Sequence, residues 1–189
     1  MLQYCVQTLT ERGYVFIGMD HFAKPDDELS IALKEGFLQR NFQGYSTYAD
    51  CDLVAIGVSS IGKIGSTYSQ NERDIDAYYA ALDAGHLPIM RGYQLNQDDI
   101  LRRNIIQDLM CRFSLDYQIY ESVFGIPFSR YFAAELEDMK QLETLGLVRL
   151  KPHSLTVTPK GRFLIRNIAM VFDYHLRHKE TKAKYSQTV

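Results

Sequence analysis

The chain has 189 residues, 46% of them hydrophobic, 23% charged and 12% aromatic, with 12 Gly and only 5 Pro; this is the profile of a folded globular protein and excludes a disordered or low-complexity one. Its 21 Lys and Arg against 23 Asp and Glu give a formal charge of -2 and a pI near 6.2, which argues against coating nucleic acid or anionic membrane with the whole surface. That average hides an asymmetry, because residues 1–100 carry 7 basic against 14 acidic side chains and residues 101–189 carry 14 against 9, as two different modules would.

Tyr14 to Met19 form a short apolar run without alternation, which predicts a strand covered on both faces as in a parallel sheet, with Asp20-His21 at its C-terminal end. After Pro25, acidic residues Asp26 to Glu28 precede Leu29, Ala32, Leu33 and Phe37 at helical spacing. Asn41 to Thr47 read as a polar and aromatic loop. Leu53 to Val58 repeat the buried-strand pattern, and the small, Gly-rich Ser59 to Ser66 follow as a ligand-facing loop. A helix over Glu72 to Ala84 ends at Gly85, and His86 to Gln97 read as a connection. Beyond it, a helix starting at Asp98 or Asp99 buries Leu101, Ile105, Leu109, Met110 and Phe113, and a second buries Phe132, Leu136, Met139, Leu142 and Leu145 before Gly146. Leu147 to Leu150 and Leu155 to Val157 pair as a hairpin, after which Thr158 caps and Pro159 opens one last helix running through Phe163, Leu164, Ile168, Val171, Phe172 and His175. Helices followed by a hairpin and a helix predict a winged-helix-like domain.

No apolar stretch approaches the ~18 residues of a membrane span, and the N-terminus lacks the basic and apolar regions of a signal peptide, so a cytoplasmic location is expected. Cys5, Cys51 and Cys111 stand 46 and 60 residues apart; they spell neither a disulfide framework nor a CxxC metal site.

The runs Phe42 to Thr47, Asp52 to Ile61, Tyr68 to Asn71 and Lys160 to Ile168 closely resemble the C-terminal part of the oxygen-independent coproporphyrinogen III oxidase family, and the resemblance covers essentially the whole chain. It implies an α/β plus α fold: residues 1–90 as the C-terminal fragment of a partial (β/α) barrel, and residues 91–189 as a mainly helical, winged-helix-like lid domain. Members are radical S-adenosylmethionine enzymes that oxidatively decarboxylate two propionates of coproporphyrinogen III to give protoporphyrinogen IX. They hold a four-iron four-sulfur cluster through a CxxxCxxC motif in the N-terminal barrel. This chain has no such motif, so the expectation is a C-terminal portion, inactive alone, whose partner is the missing N-terminal barrel half on the same or a separate polypeptide.

The resemblance places Gln43 and Ile61 at S-adenosylmethionine contacts and assigns this chain no catalytic residue and no metal ligand. The residues themselves add Asp20 and His21 as a polar pair at a strand end, where barrel enzymes gather their chemistry. Gly57, Gly62 and Gly65 lack the spacing of a phosphate-binding loop. Residues 149–189 hold nine Lys and Arg against two acids, including Lys160, Arg162, Arg166, Arg177, Lys179, Lys182 and Lys184. A basic helix beside a wing is also how a nucleic-acid or protein-binding winged helix looks; that is the alternative reading, with nucleic acid the less favoured partner.

Overall fold

A computed structural model describes residues 2–48 and 51–178. In chain order the elements are α1 (Leu2–Glu11), β1 (Val15–Gly18), β2 (His21–Ala23), α2 (Glu28–Glu35), β3 (Gln39–Arg40), β4 (Tyr45–Ser46), β5 (Ile61–Ile64), β6 (Thr67–Asn71), α3 (Ile75–Asp83), β7 (Ile89–Gln94) and α4 (Gln97–Arg112). They continue as β8 (Ser114–Asp116), α5 (Tyr117–Phe124), α6 (Phe128–Tyr131), α7 (Ala133–Thr144), β9 (Val148–Lys151), β10 (Ser154–Val157), α8 (Pro159–Arg162), α9 (Ile165–Ala169), a 3-10 turn (Met170–Phe172) and α10 (Tyr174–Arg177). No helix among the described residues is long and apolar enough to cross a membrane.

Local chemistry explains most helix ends. Asp27 accepts from Leu29 N at the start of α2, and Gly36 closes it in the left-handed region at φ 81°. Asp74 caps α3 by accepting from the amides of Asp76 and Ala77, and Asp116 caps α5 by accepting from Gln118 N. Asp98 and Asp99 stand in the first turn of α4, near its start as the sequence predicts, and Asn96 caps it: Asn96 Oδ1 accepts from Asp99 N at 2.9 Å while Asp99 Oδ2 accepts from Asn96 N at 3.0 Å, a reciprocal capping box. Thr158 caps α8 with Pro159 in the first turn, as the sequence predicts.

The chain divides into two compact units, Met1–Ala49 with Leu101–Val189, and Asp50–Ile100; the sequence suggests instead one boundary near residue 90. In the larger unit the sheets are β1-β2, β3-β4 and the three-stranded β8-β10-β9, all antiparallel. Its core is an aromatic stack: Tyr117 on Phe128 at 4.3 Å between ring centres, Phe128 on Phe132 at 4.8 Å, and Phe132 edge-on to Phe172 at 5.5 Å. Beside it Arg102 pairs with the buried Glu135 at 2.8 Å and donates to Phe172 O at 3.2 Å, so neither charge is left uncompensated. The smaller unit is the antiparallel sheet β5-β6-β7 with α3.

Three expectations are corrected. The parallel, doubly covered strands do not form: β1 turns back antiparallel onto β2, and Leu53 to Val58 make only a single bridge from Leu53 to Lys63, leaving Val54 67% and Ile56 84% exposed. A strand needs a neighbour to hydrogen-bond, and apolar composition alone does not supply one. The Gly-rich stretch after Val58 contains β5, and the connection over His86 to Gln97 contains β7. The single last helix is instead α8, α9, the 3-10 turn and α10, broken first at Leu164, whose φ -115° and ψ 27° lie outside the helical region. The architecture is therefore mixed helix and small antiparallel sheets, with no closed barrel among the described residues.

Candidate functional site

Gln43 stands exposed at the tip of the tight β3-β4 turn. Asn41 builds that turn, because its Oδ1 accepts from both Gln43 N at 2.8 Å and Gly44 N at 3.2 Å while Asn41 N donates to Gly44 O at 2.9 Å. Gly44 has φ +148°, and a Cβ there would lie 3.1 Å from His21 Nε2. The larger unit thus seats His21 directly against the turn that carries Gln43. His21 Nδ1 lies 2.9 Å from Asp20 Oδ1, off the hydrogen-bond direction, and its ring stands edge-on to Tyr45 at 5.2 Å.

Tyr45, Arg40 and Arg162 complete this neighbourhood, and sequence reasoning missed the functional placing of all three. The Tyr45 hydroxyl donates to Met110 O at 3.1 Å, and burial pushes its phenol up to about 12 although the nearby Arg40 opposes the shift. Arg162 donates to the carbonyls of Phe16 and Ile17 at 3.3 and 3.4 Å and lies over the Phe113 ring at 4.0 Å. Burial lowers the affinity of Arg162 for its proton. Phe113 itself holds φ +58°, a strained value for a bulky residue. Nothing in the local sequence signals the bonds of Tyr45 to Met110 and of Arg162 to Phe16 and Ile17, which join residues 65, 146 and 145 positions apart.

In the smaller unit Ile61 opens β5, opposite Gln70 of β6, which in turn opposes Arg91 of β7. The three side chains share one sheet face. The Gly-rich loop before them closes on itself: Gly57 N donates to the Tyr78 hydroxyl, Gly65 N to Asp52, and the Asn71 amide to Ala55 O and Gly57 O. A Cβ on Gly62 would lie 3.0 Å from Leu53 O and from Ser69 Oγ, a tight fit in which a larger residue would push a neighbour aside. Gln43 and Ile61 belong to different units, and each is placed within its own.

The cysteines do not fit an iron-sulfur cluster. Cys5 is half-buried, Cys51 exposed and Cys111 buried, with its thiol pushed up to about 12 by that burial. Among the described residues no three His, Cys, Asp or Glu lie together as metal ligands. Three members of the basic stretch are engaged within the fold: Lys160 Nζ donates to Leu145 O, Arg162 to the β1 carbonyls, and Arg177 pairs with Asp138 at 2.8 Å, while Arg149, Lys151 and Arg166 stand exposed. Lys179, Lys182 and Lys184 lie outside the described residues.

Comparison with known proteins then gives the lineage. The family model described as the HemN C-terminal domain matches residues 95–164. Over its whole length the chain is 48% identical to the oxygen-independent coproporphyrinogen III oxidase of Synechocystis sp. and 46% identical to that of Escherichia coli, and it spans 41% of each. A solved structure of the Escherichia coli enzyme, described as a radical SAM enzyme, superposes with a TM-score of 0.89 at 47% identity, over 93% of this chain and 40% of that one. Nothing in these matches supports a nucleic-acid-binding module. The chain spans about two fifths of those relatives' length, and with the HemN C-terminal domain matched over residues 95–164 it is similar to the C-terminal portion of the oxygen-independent coproporphyrinogen III oxidases.

Proposed function

We propose that the chain acts as the C-terminal portion of a coproporphyrinogen III oxidase, contributing to the oxidative decarboxylation of two propionates on the way to protoporphyrinogen IX. The observation that carries this is sequence identity of 46 to 48% sustained along the entire chain. The partner it needs is the polypeptide corresponding to the rest of its relatives' length. Val54, Ile56 and Leu87, exposed by 67, 84 and 78%, offer that partner an apolar surface.

Gln43 and Ile61 are proposed to contact S-adenosylmethionine. The Gln43 amide can donate and accept at one ligand edge, and its turn is held by Asn41 before any ligand arrives. Ile61 offers apolar surface beside polar Gln70. Held there, S-adenosylmethionine would supply, on one-electron reduction by the cluster in the rest of the enzyme, the radical chemistry that takes a hydrogen from a propionate β-carbon. No step is assigned to a cluster on this chain, since its thiols do not fit one. Residues 91–189 are read as the winged-helix-like lid, supported by the domain match that begins at residue 95 and by the β8-β10-β9 sheet packed with helices.

The test is reconstitution. Joined in frame to the cluster-bearing remainder of a relative, the chain should convert coproporphyrinogen III to protoporphyrinogen IX; a folded, cluster-loaded chimera with no conversion overturns the proposal. In that chimera Gln43→Ala should raise the S-adenosylmethionine requirement about tenfold, as for a lost polar contact of about 1.4 kcal/mol.

A further inference from the structure

Two guanidinium groups of the smaller unit converge on one neutral oxygen. Gln70 Oε1 accepts from Arg91 Nε at 3.0 Å and Nη2 at 2.6 Å, and from Arg73 Nη2 at 3.4 Å. The amide cannot turn away, because Gln70 Nε2 donates to Ser59 O at 3.1 Å. Ser59 in turn is held at φ +60°, strained for a serine, by donating its own N–H to Glu72 O at 2.7 Å. Neither arginine meets a carboxylate among the described residues.

An amide oxygen carries only a partial charge, so two cations gathered on it repel each other with no full negative charge between them. A carboxylate arriving there would replace neutral hydrogen bonds with shorter, charge-assisted and fork-shaped ones, while Gln70 stays anchored through Ser59. The place of the pair in the sheet says which ligand it serves. Ile61, Gln70 and Arg91 form one cross-strand row, so a molecule lying against Ile61 has Arg91 two strands away on the same face.

We infer that Arg91, aided by Arg73 and positioned by Gln70, binds a carboxylate of the ligand that lies against Ile61. The inference rests on reading Ile61 as a ligand contact. The carboxylate has two sources, the amino-acid end of S-adenosylmethionine and a propionate of the porphyrinogen, and the experiment separates them.

The 189-residue chain is titrated, with the Arg91 Nε–Hε and Gln70 amide signals followed by NMR, against S-adenosylmethionine, coproporphyrin III, and methylthioadenosine, which keeps the nucleoside thioether and lacks the carboxylate. A shift of Arg91 with S-adenosylmethionine and none with methylthioadenosine is expected, together with about tenfold weaker binding in Arg91→Gln and partial recovery in Arg91→Lys. A response to coproporphyrin III alone assigns the same subsite to the propionate. An unmoved Arg91 with both carboxylates overturns the inference. If Ile61→Ala weakens methylthioadenosine while Arg91→Gln weakens nothing, this inference falls and the Ile61 reading stands; if Arg91→Gln weakens S-adenosylmethionine and Ile61→Ala is silent, the Ile61 reading falls and takes with it the inference that the carboxylate belongs to a ligand lying against Ile61.

Discussion

The two units are built on different physics. Apart from Pro88, every buried apolar side chain among the described residues belongs to the larger unit, from Ile17 and Leu38 through Ile105 and Phe132 to Phe172. In the smaller unit the buried residues are Gly62, Asn71, Pro88 and Asp99, and no residue of α3 is buried. One is held by a hydrophobic core; the other by a backbone ladder and a polar network centred on Asn71 and Gln70. Burial of apolar surface is the dominant stabilising contribution in a small fold, so the larger unit should stand by itself while the smaller waits for a partner to cover it.

The largest blow to that contrast comes from the aromatic stack. Phe132→Ala should cost about 3–5 kcal/mol of the larger unit's stability by denaturant melting, through the cavity it leaves, whereas Ile56→Ala, 84% exposed, should stay within about 0.5 kcal/mol. Comparable losses from both would show that the smaller unit has a core after all. Gly161→Ala follows, since its Cβ would collide with the Leu147 carbonyl that receives the Thr158 amide. About 1–3 kcal/mol of overpacking strain is expected.

Asn71→Ala tests the polar network in the smaller unit. Losing the bonds to Ala55 O and Gly57 O should cost about 1–3 kcal/mol locally, read as faster amide exchange over residues 53–71 with residues 101–172 unchanged. Uniform acceleration across the chain would join the two units into one cooperative body.

The smallest effect is titration. Burial holds the Cys111 thiol neutral, its pKa raised from 9.0 to about 12, and Tyr45 and Tyr117 likewise from 10.0 to about 12. A folded pKa above the unfolded one gives stability that is fully present below the unfolded value and lost as pH rises through the folded one. The larger unit should therefore weaken between about pH 9 and 12, and Cys111→Ala should flatten the start of that decline. At neutral pH a thiol reagent should modify exposed Cys51 and spare Cys111.

Much of the secondary structure was legible in residues close in sequence. Helices α2, α3, α4 and α7 and the β9-β10 hairpin follow the apolar periodicity, and the caps at Thr158 and the glycine stops at Gly85 and Gly146 stand where turn chemistry puts them, with φ 73° and 72° at the two glycines. Such signals are written within four residues of one another, since a helical hydrogen bond spans that distance. The candidate site was legible only through family resemblance: composition alone marks Gln43 as a loop residue, and Arg91 as part of a connection.

What only the tertiary structure decided is everything that joins distant residues. The run Leu53 to Val58 has the composition of a buried strand, yet whether it pairs depends on a neighbour the run itself cannot specify. Periodicity ran unbroken through this stretch because α9 and the 3-10 turn bury Ile165, Ile168, Ala169 and Phe172, a spacing that one continuous helix would also give, so the bends left no trace in it. The seating of His21 against Gly44, the burial of Arg162 under β1, and the meeting of Arg73 and Arg91 on Gln70 are contacts across strands and turns. Sequence determines the local conformations that make such contacts available; the closing of loops and the pairing of strands, which cost chain entropy before they return any contact energy, determine which of them form.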